Sequence, residues 1–198
     1  MTKNIFIKLL VFVMFVSVFM INFSTTGNAA YSFTQSDYQR CFNAFMSNYY
    51  INAGDFKTTL TDGGAIHFWE AAFMRQLLVD NYNLMGLSKD KISETYYKYE
   101  NTHSVNRFGN PICWIGNDSD WNDDYSWQAQ FTMSAYAATG DQHMLDQAKW
   151  HFDYFYSNNV DNTWGGGMWR ERTVRNQKDV PTNGWGIVAA ELAKYYPT

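Results

Sequence analysis

The chain has 198 residues, the length of one domain. With 46% hydrophobic and 17% charged residues, it is too apolar and too weakly charged for a disordered chain. The net charge is −4 and no basic patch is present, which argues against a nucleic-acid partner.

The chain opens on a targeting pattern. Lys3 and Lys8 form a short basic region, and Leu9 to Ile21 is an apolar run broken by one serine. A polar stretch from Asn22 to Asn28 follows, with small residues at Gly27, Ala29 and Ala30. This is the layout of a secretory signal peptide over residues 1–30, cleaved after Ala29 or Ala30. The run is shorter than the ~20 apolar residues of a membrane span. The expectation is a secreted, extracellular protein with no membrane span after cleavage, its domain occupying residues 31–198. In an oxidising compartment Cys41 and Cys113 could pair, contributing roughly 4 kcal/mol. The alternative is two buried free thiols.

Six stripes with spacings of three and four predict six helices. They are Tyr38–Cys41–Phe42–Phe45–Tyr49, Ile66–Trp69–Phe73–Leu77, Ile92–Tyr96–Tyr99, Trp127–Phe131–Ala135–Ala138, Leu145–Ala148–Phe152–Phe155 and Trp185–Val188–Ala189–Leu192–Tyr196. No segment alternates with period two, so little sheet is expected and the fold class is all-α. Between the fourth and fifth stripes, Gly140 suits a left-handed helix end and Asp141 the cap of the next helix. Two connections are long: Thr102 to Asn122, and Asn158 to Pro181 with Gly165-Gly166-Gly167. Short turns at one end and long loops at the other suggest a helical toroid whose long loops build a site on one face.

The chemistry concentrates in Asp118-Ser119-Asp120-Trp121-Asn122-Asp123-Asp124-Tyr125-Ser126-Trp127. Three readings stand. Asp118, Asp120 and Asn122 have the first spacings of a calcium loop, but Asp123 and Ala129 occupy the positions that should be Gly and Glu. Asp123 and Asp124 could simply cap a helix and complement its dipole. Or the pair could do acid and nucleophile work. Retaining glycoside hydrolysis needs two carboxyls roughly 5 Å apart, one attacking the anomeric carbon while the other protonates the leaving oxygen. Neighbours at a helix start project about 100° apart and could flank a bound sugar. Trp121 and Trp127 would offer flat apolar faces to a pyranose ring.

Several ordered motifs resemble glycoside hydrolase family 76, the α-1,6-mannanases. Trp121-Asn122-Asp123-Asp124-Tyr125-Ser126-Trp127 looks like the family's catalytic Asp-Asp segment. Ala137-Ala138-Thr139-Gly140-Asp141 matches the helix turn that follows, and Trp164-Gly165-Gly166-Gly167-Met168-Trp169 its Gly-Gly-aliphatic-Trp loop. Lys178 and Asn183 resemble its Lys…Asn segment, and Phe68-Trp69-Glu70 an early aromatic helix motif. The resemblance implies an (α/α)6 toroid that cleaves α-1,6-mannan with retention and needs no metal or cofactor. It makes Asp123 the nucleophile and Asp124 the general acid/base. Trp121, Tyr125, Trp69, Gly166, Gly167, Trp169 and Asn183 would then contact the polysaccharide. Each has a plainer reading: core packing for Trp69 and Trp169, a simple turn for the glycines, and a helix cap for Asn183. Lys178 reads as structural, and His67 and His103 as ordinary surface or loop residues.

The family's toroid has twelve helices, and six are legible here. Half a toroid would expose apolar faces, so the chain reads as a gene fragment, a truncated form that self-associates, or an inactive relative. Two functions follow: a mannan-cleaving glycosidase or related cell-surface transglycosidase, and a non-catalytic mannan-binding domain.

Overall fold

A computed structural model of the chain describes residues 32–51, 55–61, 66, 68–115 and 120–197. The expected signal peptide, Asp118, Ser119 and His67 lie outside them. Among the described residues there are six α-helices: α1 (Gln35–Tyr49), α2 (Phe68–Asn81), α3 (Lys89–His103), α4 (Asn122–Thr139), α5 (Gln142–Asn159) and α6 (Gly184–Leu192). Each coincides with one apolar stripe of the sequence. The chain divides into two compact units, Met1–Tyr38 and Gln39–Thr198. In the first, Thr34 and Asp37 cap the start of α1 reciprocally: the Thr34 amide and hydroxyl donate to Asp37 Oδ2, and the Asp37 amide to Thr34 Oγ1. All that follows concerns the second unit.

Helix ends follow local chemistry. Ser88 caps α3 by accepting from the Asp90 amide. α4 ends on Gly140 in the left-handed region (φ 78°, ψ 13°), its amide bonded to Tyr136 O at 2.7 Å. One residue later Asp141 caps α5 by accepting from the His143 amide at 3.1 Å. The tight α4–α5 hairpin is therefore built as the sequence predicts.

Ring contacts fix the helix directions. Tyr125, in the first turn of α4, packs on Phe68 at the start of α2 with centroids 5.0 Å apart, so α2 and α4 run parallel. Phe155, near the end of α5, packs 5.2 Å from Tyr125 and 4.6 Å from Trp185 at the start of α6. α5 thus runs antiparallel to α4, and α6 parallel to it. α4 touches both α2 and α6, with α3 and α5 behind. The result is an inner row α2–α4–α6 whose N-termini share one end, and the long connections gather there.

Two short hairpins were not legible in the periodicity. β1 (Tyr50–Ile51) pairs antiparallel with β2 (Asp55–Phe56). β3 (Val105–Arg107) pairs antiparallel with β4 (Asn110–Cys113) inside the Thr102–Asn122 connection. Its two turn residues, Phe108 (φ 55°) and Gly109 (φ 81°), both have positive φ, as a two-residue hairpin turn of matching twist requires. Phenylalanine is an unusual occupant of that region, and its ring rests on Tyr154 with centroids 4.8 Å apart.

Behind α4, Trp114 and His151 are fully buried and stacked at 3.7 Å and 10°. His151 Nε2 accepts from the Trp114 amide at 3.1 Å, so its Nδ1 carries the proton and donates to Gln147 O at 2.7 Å. Of the two readings of the cysteines, the structure has the free thiols: Cys113 is buried as that reading holds, whereas Cys41 is exposed. Among the described residues no helix is long and apolar enough to cross a membrane.

Candidate active site at the N-termini of the inner helices

The start of α4 is held by the long loop that returns from α5. The Asn122 amide donates to Arg170 O at 2.8 Å, and its side-chain Nδ2 to Trp169 O at 2.7 Å. Asn122 O accepts from Trp185 Nε1 at 2.8 Å, and Asn122 is fully buried. One residue therefore ties α4, the return loop and α6 together. Asp123 and Asp124 follow in the first helical turn, both half-buried. Trp121 occupies the cap position without a side-chain bond to the helix, so the exposed helix end is left to the carboxylates.

Asp123 Oδ1 is buried without a hydrogen-bond partner. Burial pushes the Asp123 carboxyl above its ordinary value; Asp179 adds to the rise, while its own and the Asp124 amide and the Arg170 guanidinium oppose it. A carboxyl that is partly desolvated and beside a second one has the environment expected of a general acid or a basic nucleophile.

The aromatic frame is only partly the expected one. Trp69 (39% exposed) and Trp121 (41%) stand at the surface beside the inner-helix N-termini. One ring face of Trp121 is covered by the Arg170 guanidinium, 3.9 Å from its centroid. Tyr125, expected as a sugar contact, is fully buried between Phe68 and Phe155 and belongs to the core. Trp169 is also buried, at 3%, with Lys178 over its ring and its Nε1 bonded to Asp161. The exposed ring of that loop is Trp164 (69%), set edge-on to Trp169 with centroids 5.3 Å apart and held in the left-handed region at φ 55°.

The triple glycine is a turn. Gly166, at φ 105° and ψ −175°, has a backbone conformation open only to glycine. The Gly166 amide donates to Thr163 O and Gly167 O accepts from the Asp161 amide, closing the turn. Val160 then bridges to Met168, and the Trp169 amide reaches Asn159 O at 2.9 Å.

Sequence reasoning passed over Asp161. Its carboxylate accepts from Trp169 Nε1 at 2.8 Å and from Lys178 Nζ at 2.8 Å. Lys178 also donates to Asp161 O and Thr163 O, which assigns it the structural role expected of it. The Lys178 ammonium holds the Asp161 carboxyl well below the usual carboxylate range. Asn183 stands at the start of α6 as expected, but its exposed side chain makes no capping bond. Arg170 and Asp179 were likewise missed; no spacing marks them, because the loop alone brings them to α4.

A groove of about 340 Å³ runs along α2, α4 and α6, lined by Phe73, Trp127, Gln130, Ala137, Ile187 and Glu191; neither Asp123 nor Asp124 lines it. Phe73 and Trp127 pack together across it, with centroids 5.0 Å apart.

No protein-family model matches the chain, and no curated protein matches it. Solved structures do. An inactive variant of an α-1,6-mannanase from Salegentibacter sp. HEL1_6, with two successive aspartates replaced by alanine and α-1,6-mannotetrose bound, superposes with a TM-score of 0.64 at 18% identity. The match covers 82% of this chain and 46% of that one. An α-mannanase of Bacteroides thetaiotaomicron matches with a TM-score of 0.63 at 17% identity, over 82% of this chain and 48% of the other. A Listeria innocua protein matches with a TM-score of 0.63 at 20% identity, over 82% and 47%. The chain spans about half the length of these structures. Over 82% of its length, it has the fold of about half a glycoside hydrolase family 76 toroid.

Proposed function

We propose that this chain carries the catalytic half of a secreted glycoside hydrolase that cleaves α-1,6-mannan with retention of configuration. The observation that carries the reading is the adjacent pair Asp123 and Asp124, half-buried at the N-terminus of the central inner helix. In the matched Salegentibacter enzyme, the variant lacking two successive aspartates is inactive and holds a mannan oligosaccharide. Export rests on the basic-apolar-small pattern of residues 1–30.

In this mechanism the Asp123 carboxylate attacks the anomeric carbon while Asp124 gives its proton to the departing glycosidic oxygen. A glycosyl ester on Asp123 results. The Asp124 carboxylate then takes a proton from water, whose oxygen attacks the same carbon, and Asp123 leaves as carboxylate. Trp69 and Trp121 would give the sugar rings apolar faces.

Carbohydrate binding without turnover is a second reading, favoured by the coverage of 46% of the matched enzyme, which brings only part of a toroid's cleft. Incubating the purified chain with α-1,6-mannan separates the two. The enzyme releases oligosaccharides and Asp123→Ala abolishes the release; hydrolysis that survives Asp123→Ala would overturn the assignment.

A further inference from the structure

At 69%, Trp164 is the most exposed large apolar side chain among the described residues. Its backbone lies at φ 55° and ψ 34°, in the left-handed region that is unfavourable for any residue with a Cβ. Phe108 is the other non-glycine residue with positive φ among those described, but its ring rests on Tyr154 with centroids 4.8 Å apart. Trp164 meets Trp169 edge-on, with centroids 5.3 Å apart and planes at 66°, and most of its surface stays in solvent.

The tip that carries it is firmly braced. Before Trp164, the Thr163 amide donates to Asp161 Oδ1 at 2.9 Å, and Thr163 O accepts from Lys178 Nζ at 2.8 Å. After it, the Gly165 amide donates to Asn162 O at 3.3 Å and the Gly166 amide to Thr163 O at 3.2 Å. Lys178 Nζ also lies 4.7 Å from the Trp169 ring centroid, so the ring behind Trp164 is fixed as well. The same loop builds the aspartate end of the domain. Trp169 O accepts from Asn122 Nδ2 at 2.7 Å, and Asn122 directly precedes Asp123. Trp164 stands one ring outward from that anchor.

An apolar ring held in solvent, in an unfavourable backbone state, contributes little to the fold that holds it; such strain points to a ligand. We infer that Trp164 is a saccharide platform, a subsite outside the aspartate pair that stacks on the C–H face of a pyranose ring. The choice of sugar rests on the glycosidase reading above. The indole is flat, apolar and already ordered, so little freedom is lost when a glycan settles on it. The exposed Asn162 and the partly exposed Asp161 and Arg175 surround the tip with groups that hydrogen-bond hydroxyls. Contact with no reacting atom means equal binding in ground and transition states, so the ring acts on KM and not on kcat.

The test is calorimetric titration of the full chain with α-1,6-mannotetraose, in Asp123→Ala so that the probe is not consumed. Adding Trp164→Ala should weaken binding about tenfold, and Trp164→Tyr should restore most of the affinity. Trp164→Gly should bind as weakly as Trp164→Ala but melt at a higher temperature, because glycine relieves the backbone. No binding by the Asp123→Ala parent, equal affinity in Trp164→Ala, or a Trp164→Gly chain that melts below Trp164→Ala overturns the inference. Ring-dependent binding without hydrolysis by the chain that retains Asp123 would overturn the glycosidase reading and leave the platform standing. Hydrolysis whose KM is unmoved by Trp164→Ala does the reverse.

Discussion

Gly184 and Ser126 mark the closest approach of α6 to α4: a methyl group on Gly184 would sit 2.4 Å from Ser126 Oγ and 2.9 Å from Gln130 Nε2. Ser126 Oγ is held in place by donating to Asp123 O at 2.8 Å, so it cannot swing aside without loosening the first turn of α4. Gly184→Ala should therefore destabilise the fold by about 1–3 kcal/mol in urea unfolding. Ser126→Ala should recover part of that loss in the double variant. Full stability of Gly184→Ala alone would show that the helices separate freely.

Trp69 and Tyr125 should respond to truncation in opposite ways. Tyr125 is buried against Phe68 and Phe155, so Tyr125→Ala should cost about 3–5 kcal/mol of stability. Trp69 stands at the surface against Phe73. Trp69→Ala should unfold close to wild type and weaken binding of mannan oligosaccharides, read by titration calorimetry. Equal binding by Trp69→Ala and wild type would remove Trp69 from the sugar site.

These two residues show why the sequence was legible in some respects and silent in others. Helical period and cap chemistry are local, so all six helices and the Gly140–Asp141 turn could be read directly. The inward or outward aim of a ring is set by tertiary packing. Tyr125 and Trp169 lie in the core although they flank the aspartates or the glycine turn, whereas Trp164 is exposed. The hairpin at Phe108-Gly109 was hidden because its turn lacks the usual Asn-Gly pair. Asp161, Arg170 and Asp179 act across loops with no periodicity, and their partners are fixed only by the fold.

Asp161 is the pin of the return loop, joining Lys178 to Trp169 Nε1. Because Lys178 depresses its carboxyl, the stabilisation is fully present above the unfolded-state value of about 4 and is lost as pH falls through the folded one. Asp161→Asn should lower Tm at pH 7, and the gap to wild type should narrow below about pH 4. A gap that stays constant across this range would mean that packing, rather than charge, holds the loop.

Asp124→Ala separates the acid from the nucleophile. An aryl mannoside with a good leaving group needs little protonation, so its cleavage should be largely spared. Mannan hydrolysis should fall about 10²–10⁴-fold. Equal losses on both substrates would take the acid role away from Asp124.

His151 predicts a pH-dependent stability unconnected to the site. Burial pushes its pKa down to about 3, against the opposing pull of the Gln147 carbonyl. The unfolded chain takes up a proton near pH 6.5 that the folded chain refuses. The contribution of His151 is thus complete above that pH and declines as pH falls toward 3, by about 1.4 kcal/mol per unit. His151→Phe keeps a ring for Trp114 to stack on but leaves the Trp114 amide without its acceptor, at a cost of about 1–3 kcal/mol at pH 7. Urea midpoints of the two proteins should therefore converge between pH 6.5 and pH 4. Parallel curves would show that His151 becomes protonated within the fold, and the stacked, doubly bonded neutral imidazole would have to be abandoned.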